Sequence, residues 1–257
     1  MAASYWRAGD GDPRYLTAHV TILVGVIKMR KPPSSVVAVV LLVSLAVILA
    51  DWNAFATTPP SLVRLPRARS KGTMSVEEAL SRRRSVRTFG RGALSLEGVS
   101  QILWAAQGIT SERGFRTAPS AGALYPLEVY LVASQVEGLE AGLYRYKPSQ
   151  HALEMLRAGD LRKDLARAAL RQGAISDAAA NLVITAVYER TARRYGARAE
   201  RYVRIEVGHV GQNVYLQVEA LELGTVAIGA FHDESVKRLL GVEEDPLYIM
   251  PIGKLWR

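Results

Sequence analysis

Residues 116–131 read RTAPSAGALYPLEVYL, a turn of small side chains that runs directly into an apolar strand. The small residues at 120–122 allow a ligand to approach the main chain closely, and Pro119 and Pro126 stiffen the two ends of the turn. The strand that follows has the largely apolar character of a buried strand. The stretch therefore predicts a rigid loop that leads into a sheet and against which a flat molecule can lie.

An apolar segment lies near the start of the chain. Residues 32–50 carry no charged side chain, and a helix of that length would reach about 28 Å, close to the hydrocarbon thickness of a bilayer. Residues 1–56 are therefore predicted to be an N-terminal segment with a membrane anchor. A cleaved signal peptide that starts near Met29 is an alternative, because Ala54-Phe55-Ala56 fits a signal-peptidase site. Both interpretations place the protein at the membrane or export it.

A third interpretation of the apolar segment is a buried helix or an untranslated upstream stretch, with Met74 as the true start and a cytoplasmic protein. Residues 57–73 combine prolines with alternating basic side chains and have no apolar periodicity, which is typical of a linker. The folded domain is accordingly expected to span residues 74–257.

The chain has 257 residues and a net charge of +9. It lacks the interleaved aromatic residues and the zinc-finger spacing of nucleic-acid-binding domains. Anionic lipid headgroups and a phosphate-bearing cofactor account for the charge equally well, so we expect no nucleic acid partner. The absence of cysteine excludes disulfides and thiolate metal ligands, and the four scattered histidines predict no metal site.

Capping residues and hydrophobic periodicity predict alternating helices and strands after Met74. Ser75 and Glu78 form a capping box, and Ser95 caps a second helix. The predicted helices are 75–83, 96–107, one from 160 to before 173, 198–223 and 234–240, and the predicted strands are 128–132, 143–146, 182–187, 225–228 and 247–252. The order predicts an α+β domain with a central mixed sheet and helices on both faces.

The long helix has an apolar stripe, at Val203, Val207, Val210, Val214, Val218 and Leu221. An apolar stripe with spacings of three and four residues lies on one face of a helix, and that face packs against another apolar surface. It is expected to lie either at a dimer interface or inside one subunit.

Three guanidinium groups and a hydroxyl occur within five residues, at Arg83, Arg84, Ser85 and Arg87. Guanidinium groups bind phosphate oxygens bidentately and stay charged at any working pH, so the cluster suits a phosphate monoester. A solvated basic helix end is the alternative. In a second segment, GTVAIGAF at 224–231, small residues end a strand, where main-chain amides can donate hydrogen bonds to a ligand. Lys254 near the C-terminus adds another cation.

In this order, the motifs resemble those of the nitroreductase-like FMN-dependent oxidoreductases, over about residues 75–257. Within that superfamily, the loop at 119–132, the stretch EVGHVGQN at 206–213 and the segment at 224–231 are most similar to the SagB/ThcOx-type dehydrogenases. The resemblance implies a homodimer with a nitroreductase-like fold, a central mixed sheet flanked by helices, and FMN sites shared between subunits.

The resemblance also implies roles for individual residues. Those that would hold the FMN phosphate and the polar edge of the flavin are Arg83, Arg84, Ser85 and Arg87. Those of the loop that would pack against the partner's flavin are Pro119, Ser120, Ala121 and Gly122. Those that would lie along the flavin ring are Ile228, Gly229 and Ala230, with Lys254 near the phosphate. The polar residues of the long helix, His209, Gln212 and Asn213, would be interface and packing groups.

The reaction implied is ping-pong: a hydride equivalent passes to N5 of FMN from a donor such as NAD(P)H, and electrons then pass to a second substrate. Azoline-oxidising members of the branch are associated with a Lys-Tyr pair before the long helix. This chain has Arg194-Tyr195 there, and an always-protonated arginine is a poor proton acceptor. We therefore expect a general FMN oxidoreductase that acts on a small-molecule or modified-peptide substrate, with Tyr195 as its candidate catalytic residue.

Two other functions remain open at this stage. One is an azoline-to-azole dehydrogenase of peptide modification. The other is a membrane-tethered flavin-binding protein without catalytic activity.

Overall fold

A computed structural model describes residues 62–256 of the chain. The N-terminal segment at 1–56, with its apolar stretch at 32–50, lies outside the described residues. Within residues 62–256, no helix is both long and apolar enough to cross a membrane. The anchor, the cleaved signal and the localisation therefore stay predictions.

A seven-stranded sheet forms the centre of the described domain, in the order β1-β4-β3-β2-β5-β7-β6. All neighbouring strands pair antiparallel. The sequence predicts a mixed sheet, but parallel pairing among the described residues is confined to an isolated bridge between Leu94 and Val136. The strands are β1 (Leu62–Arg64), β2 (Leu127–Ala133), β3 (Gly142–Lys147), β4 (Ala152–Ala158), β5 (Ala180–Ala186), β6 (Leu223–Thr225) and β7 (Asp245–Lys254).

Helices cover both faces of the sheet. They are α1 (Val76–Arg82), α2 (Leu96–Gln107), α3 (Arg162–Ala168), α4 (Gly173–Asp177), α5 (Tyr188–Tyr195), α6 (Ala199–Ala220) and α7 (Asp233–Leu240). One apolar cluster packs α2 and α6 against one face, and a second packs α3, α4 and α7 against the other. Strand β2 contributes to both, since Leu131 belongs to the first cluster and Tyr130 and Val132 to the second. The α+β architecture predicted from the sequence is confirmed.

Local capping signals set the bounds of the first two helices. The Ser75 Oγ accepts a hydrogen bond from the Glu78 amide at 3.0 Å, and the Ser95 Oγ accepts one from the Gly98 amide at 3.1 Å. Helix α2 ends at Gly108, as predicted. The segment that follows α1 reaches the edge strand β6, where the Val86 amide donates to the carbonyl oxygen of Thr225.

The valine stripe of α6 is buried within its own subunit, where its members belong to the first apolar cluster: Val203, Val207, Val210, Val214 and Val218. Of the two arrangements that the sequence allowed, this is the intramolecular one. The outer face of α6 exposes Ile205, Gly208, His209 and Gln212, whereas the Asn213 amide donates to the carbonyl oxygen of Ala105 at 3.1 Å. The stripe therefore holds α6 on the sheet and gives no argument for a dimer.

Part of the segment at 57–73, predicted to be a linker, belongs to the folded domain. Strand β1 pairs with β4, and Leu65 is 8% exposed. The Gln101 side chain accepts a hydrogen bond from the Arg69 amide at 2.8 Å and donates one to the Arg69 carbonyl oxygen at 3.1 Å. The boundary predicted at Met74 is wrong, because apolar residues and main-chain groups of this segment find their partners far along the chain.

The remaining differences lie where local signals are weak. The helix expected after Asp160 ends at Ala168, because Leu170 and Arg171 both have positive φ, and the short helix α4 follows. Strand β4 and helix α5 were not predicted from the sequence.

Candidate active site

The arginine motif lies beside the segment at 224–231, held there by one tyrosine. The Val86 amide donates to the carbonyl oxygen of Thr225 at 2.8 Å. The Tyr215 hydroxyl accepts from the Ala227 amide at 2.8 Å and lies 3.0 Å from the Ser85 Oγ. Two of the predicted cofactor segments therefore meet at a fixed geometry on helix α6.

The arginines of this motif have no carboxylate to neutralise them. The Arg83 guanidinium lies 5.2 Å from the centroid of the Tyr215 ring. The Arg84 guanidinium donates to main-chain carbonyl oxygens of Ser81 and Arg83, and Arg87 is exposed. None of them forms an ion pair within the described part of the chain, although the preceding Arg82 pairs with two glutamates. An unneutralised cationic cluster of this kind suits a phosphate group.

The segment at 224–231 ends in small, exposed residues. Ile228 is buried and exchanges main-chain hydrogen bonds with Ile249 at 2.9 Å, whereas Gly229 and Ala230 are exposed. The amides of Gly229 and Ala230 have no hydrogen-bond acceptor among residues 62–256. A Cβ atom at Gly229 would meet nothing nearer than the Tyr248 ring at 3.9 Å. A flat ring can therefore lie on this surface and accept a hydrogen bond from it.

Lys254 lies at the far end of strand β7. The Lys254 carbonyl oxygen accepts a hydrogen bond from the Gly90 amide at 2.8 Å. The Lys254 Nζ lies close to Gly92, since a Cβ added to this glycine would be 3.0 Å from it. The side chain lines a cleft of about 910 Å³ together with Arg82 and Arg91. The structure shows no contact between Lys254 and the other predicted cofactor residues.

The loop at 119–123 lies elsewhere, at the N-terminal half of α6. The Ser120 Oγ accepts a hydrogen bond from the Tyr125 amide at 2.9 Å, and Gly122, Ala123 and Tyr125 all have positive φ. A Cβ at Gly122 would lie 2.9 Å from the Tyr195 hydroxyl. Only glycine fits there, and the candidate catalytic tyrosine is in contact with the predicted flavin-facing loop.

A buried carboxyl group, which the sequence analysis did not single out, lies under this loop. Glu206 is 2% exposed, and burial raises the pKa of its carboxyl to about 7 against the opposing effects of Ser120, Arg116 and Gln107. Its Oε1 has no hydrogen-bond partner in the described part of the chain. The sequence pattern could have indicated this burial, because Glu206 follows Val203 of the apolar stripe by three residues and so lies on the buried face of α6.

One subunit does not bring the two groups of predicted site residues together. Glu206 and Tyr215 are nine residues apart on α6, which corresponds to about 13 Å of helix. The loop at 119–123 lies near Glu206, whereas the arginine motif lies at Tyr215. A ligand bound at the arginines of one subunit is therefore not expected to contact the loop at 119–123 of the same subunit.

Known proteins similar to this chain identify the family to which it belongs. The model of the nitroreductase family matches residues 80–254. A protein of Methanocaldococcus jannaschii assigned as a nitroreductase is 48% identical over 181 residues, which cover 70% of this chain and 91% of the relative. The trifolitoxin operon protein TfxC of Rhizobium leguminosarum bv. trifolii is 30% identical over 194 residues, which cover 68% of this chain and 54% of TfxC.

The crystal structure of a protein from Anabaena variabilis, also assigned as a nitroreductase, superposes with a TM-score of 0.68 at 28% identity. The match covers 77% of this chain and 42% of that one, so this chain spans less than half of its length. The family model covers most of the described domain, including the arginine motif, the loop at 119–123 and the segment at 224–231. This chain belongs to the nitroreductase family.

Proposed function

We propose that the protein is an FMN-dependent oxidoreductase that acts as a homodimer and takes electrons from a donor such as NAD(P)H. The observation that carries the proposal is the junction at Tyr215. A single hydroxyl holds the arginine motif next to Ala227, just before two exposed residues whose amides have no acceptor among residues 62–256. Phosphate-binding and ring-binding groups thus occur side by side, as a flavin nucleotide requires.

The residues of the site fit FMN on chemical grounds. The phosphate would be held by Arg83 and Arg87, which lack carboxylate partners among residues 62–256, with Ser85 as a further hydrogen-bond donor. The ring would lie over Gly229 and Ala230, where the main chain is exposed and no side chain intrudes. Lys254 supports the proposal less directly, since it contacts none of these residues.

Homodimer formation would supply the missing wall of the site. The loop at 119–123 and the arginine motif lie at opposite halves of α6 within one subunit, so we expect a partner's loop to cover a ring bound at Gly229. The outer face of α6 offers a surface for such a partner, with Ile205 50% exposed and Gly208 beside it. Pro119, Ser120 and Ala121 are then the residues that reach the partner's cofactor.

When bound, FMN would supply electron transfer between two substrates in turn. The chain's own residues bind, orient and exclude water. Tyr195 is proposed to donate a proton to the second substrate, because its hydroxyl lies against Gly122 on the loop that would face the ring. Similarity to the trifolitoxin operon protein TfxC supports a peptide-modifying dehydrogenase as a second candidate.

A spectrum of the purified full-length protein tests the cofactor. Yellow protein with flavin absorbance that NADH or NADPH bleaches under anaerobic conditions would support the oxidoreductase. Colourless protein that also fails to take up added FMN contradicts the proposal. Bound flavin that no donor bleaches would instead favour a binding protein without activity.

Light scattering on the same sample tests the dimer. We expect the mass of two chains and a loss of FMN on dilution, because a shared site exists only in the dimer. A monomer that retains one FMN per chain would contradict the assignment of the loop at 119–123 to the partner's site.

A further inference from the structure

Two side chains at the end of α5 contact the flavin-facing loop. A Cβ at Gly122 would lie 2.9 Å from the Tyr195 hydroxyl and 3.2 Å from Arg194 Nη1. The Tyr195 hydroxyl and the Arg194 guanidinium therefore lie against the main chain of the loop at 119–123, where Gly122 has no side chain to keep them away.

The tyrosine ring is fixed from two sides. It packs edge-on against the Tyr202 ring with centroids 4.9 Å apart, and the Arg194 guanidinium carbon lies 5.6 Å from the centroid of the Tyr195 ring. A tyrosine held in this way presents its hydroxyl in one direction. The hydroxyl and the guanidinium then form a pair of hydrogen-bond donors on the same side of the loop.

The charge around this pair is strongly positive. Residues 188–204 contain six arginines and two glutamates. Arg190 and Arg204 are neutralised by Glu128 and Glu200. The others, Arg193, Arg194, Arg198 and Arg201, are exposed and form no ion pair within the part of the chain that the structure describes. Four unpaired cations within nine residues repel one another, and a bound anion relieves that repulsion.

We propose that Arg194 binds the carboxylate of the substrate, so that the protein selects an electron acceptor that carries a carboxylate as well as its reducible part, while Tyr195 keeps its proposed role as proton donor. A guanidinium binds a carboxylate in a planar, bidentate manner. Because arginine stays charged at any working pH, the selection should hold at every pH at which the carboxyl group of the substrate is ionised. The inference rests on the proposed function, which places the loop at 119–123 over the ring where substrates meet the cofactor.

The phosphate of the cofactor does not explain this patch. The arginine motif at 83–87 already supplies a cationic cluster next to the exposed main chain of Gly229 and Ala230. Arg194 lies on the loop side, at the other half of α6. The two clusters therefore serve two different anions.

Two acceptors of nearly the same shape test the proposal: 4-nitrobenzoate and 4-nitrobenzamide. We expect the wild-type protein to reduce the carboxylate with a kcat/KM about 10- to 100-fold above that of the amide, the range for a hydrogen bond to a charged group. Arg194→Gln should abolish the preference by raising KM for the carboxylate, so that kcat/KM becomes the same for the two acceptors. Arg157→Gln, which removes another exposed and unpaired arginine on β4, is the matched control and should keep the preference.

Calorimetry with benzoate and benzamide provides a readout that needs no turnover. The full-length protein should bind benzoate more tightly than benzamide, and Arg194→Gln should remove the difference. Equal binding of the two compounds, binding of neither, or an unchanged preference in Arg194→Gln would overturn the inference. If flavin binding or turnover fails altogether while benzoate is still preferred through Arg194, the oxidoreductase proposal fails and the anion site stands.

Discussion

The Tyr215 hydroxyl and the Ala227 amide form a 2.8 Å hydrogen bond, and the same hydroxyl lies 3.0 Å from the Ser85 Oγ. The three groups come from the C-terminal half of α6, the segment after β6 and the turn after α1. One phenol thus determines how far the proposed phosphate-binding arginines lie from the proposed ring-binding main chain. The Arg83 guanidinium on the face of the same ring adds a second contact to this junction.

Tyr215→Phe should loosen the junction without unfolding the protein. The ring and its contact with Arg83 remain, but the Ala227 amide loses its partner, so the free energy of unfolding should fall by about 1 kcal/mol. FMN affinity should fall as well, because the two halves of the site are no longer fixed. Urea unfolding and flavin titration measure the two effects. Tyr202→Phe is the control on the same helix, and an equal loss of FMN affinity there would contradict the role of Tyr215.

Arg83→Ala should weaken FMN binding by about 1.5–3 kcal/mol, the range for a hydrogen bond to a charged group. Arg82→Ala is a matched control, because Arg82 is already paired with Glu78 and Glu219. Its effect on FMN affinity should be much smaller. Fluorescence titration of flavin into each protein measures the difference. If Arg83→Ala binds FMN as tightly as Arg82→Ala, the phosphate role of Arg83 is wrong.

The sequence predicted those parts of the site that depend on neighbouring residues. The cap at Ser95 and the stop at Gly108 lie next to the helix they limit, so α2 was predicted to the residue. Tyr215 was not recognised, because its partner Ser85 lies 130 positions away and nothing local distinguishes it from a packing tyrosine. The burial of Glu206 likewise depends on α2 and the loop at 119–123, which only the fold brings together.

The segment at 57–73 illustrates the same limit from the opposite side. Its prolines and basic residues are typical of a linker, yet its main chain is held by Gln101, and the Pro66 carbonyl oxygen accepts hydrogen bonds from Ser100 and is 3.0 Å from His151 Nε2. The basic side chains of the described part of the segment are exposed: Arg64, Arg67, Arg69 and Lys71. The amino-acid composition of a segment indicates whether its side chains are exposed. It does not indicate which groups its main chain is hydrogen-bonded to.

A chain that starts at Met74 should therefore be less stable than one that starts at Pro60. The shorter chain lacks β1 and the buried Leu65, and Gln101 loses its two hydrogen bonds to the main chain of Arg69. Burial of a leucine and two hydrogen bonds together correspond to roughly 3 kcal/mol. Urea unfolding of the two chains gives the difference. Equal midpoints would show that residues 60–73 contribute nothing to the fold.

Gly229→Val should impair FMN binding while the protein stays folded. A Cβ at Gly229 would lie 3.9 Å from the Tyr248 ring, which is an ordinary contact, so the added side chain should be tolerated by the fold and should crowd a ring bound on this surface. Gly224→Ala provides the contrast, because a Cβ there would lie 2.8 Å from the Val86 side chain. It should lower thermal stability by forcing that contact apart. A Gly229→Val protein with normal flavin spectrum and affinity would exclude this surface as the ring site.

The carboxyl of Glu206 should make stability depend on pH in a definite direction. Burial raises its pKa from 4.5 to about 7 in the folded protein, so the fold favours the protonated form. Between these two values the folded state binds a proton that the unfolded state has lost. The free energy of unfolding therefore falls as pH rises from about 4.5 to about 7 and is level above that.

Glu206→Gln should remove this dependence, because glutamine keeps the shape and does not titrate. At about 1.4 kcal/mol per pKa unit, the variant should exceed the wild type by at most about 3 kcal/mol at pH 8 relative to the difference at pH 5. Burial also lowers the pKa of His151 and makes stability fall toward acid pH, but this contribution is common to both proteins and cancels in the difference. Urea unfolding at pH 5, 6, 7 and 8 gives the two curves. Parallel curves would show that the fold does not raise the pKa of Glu206.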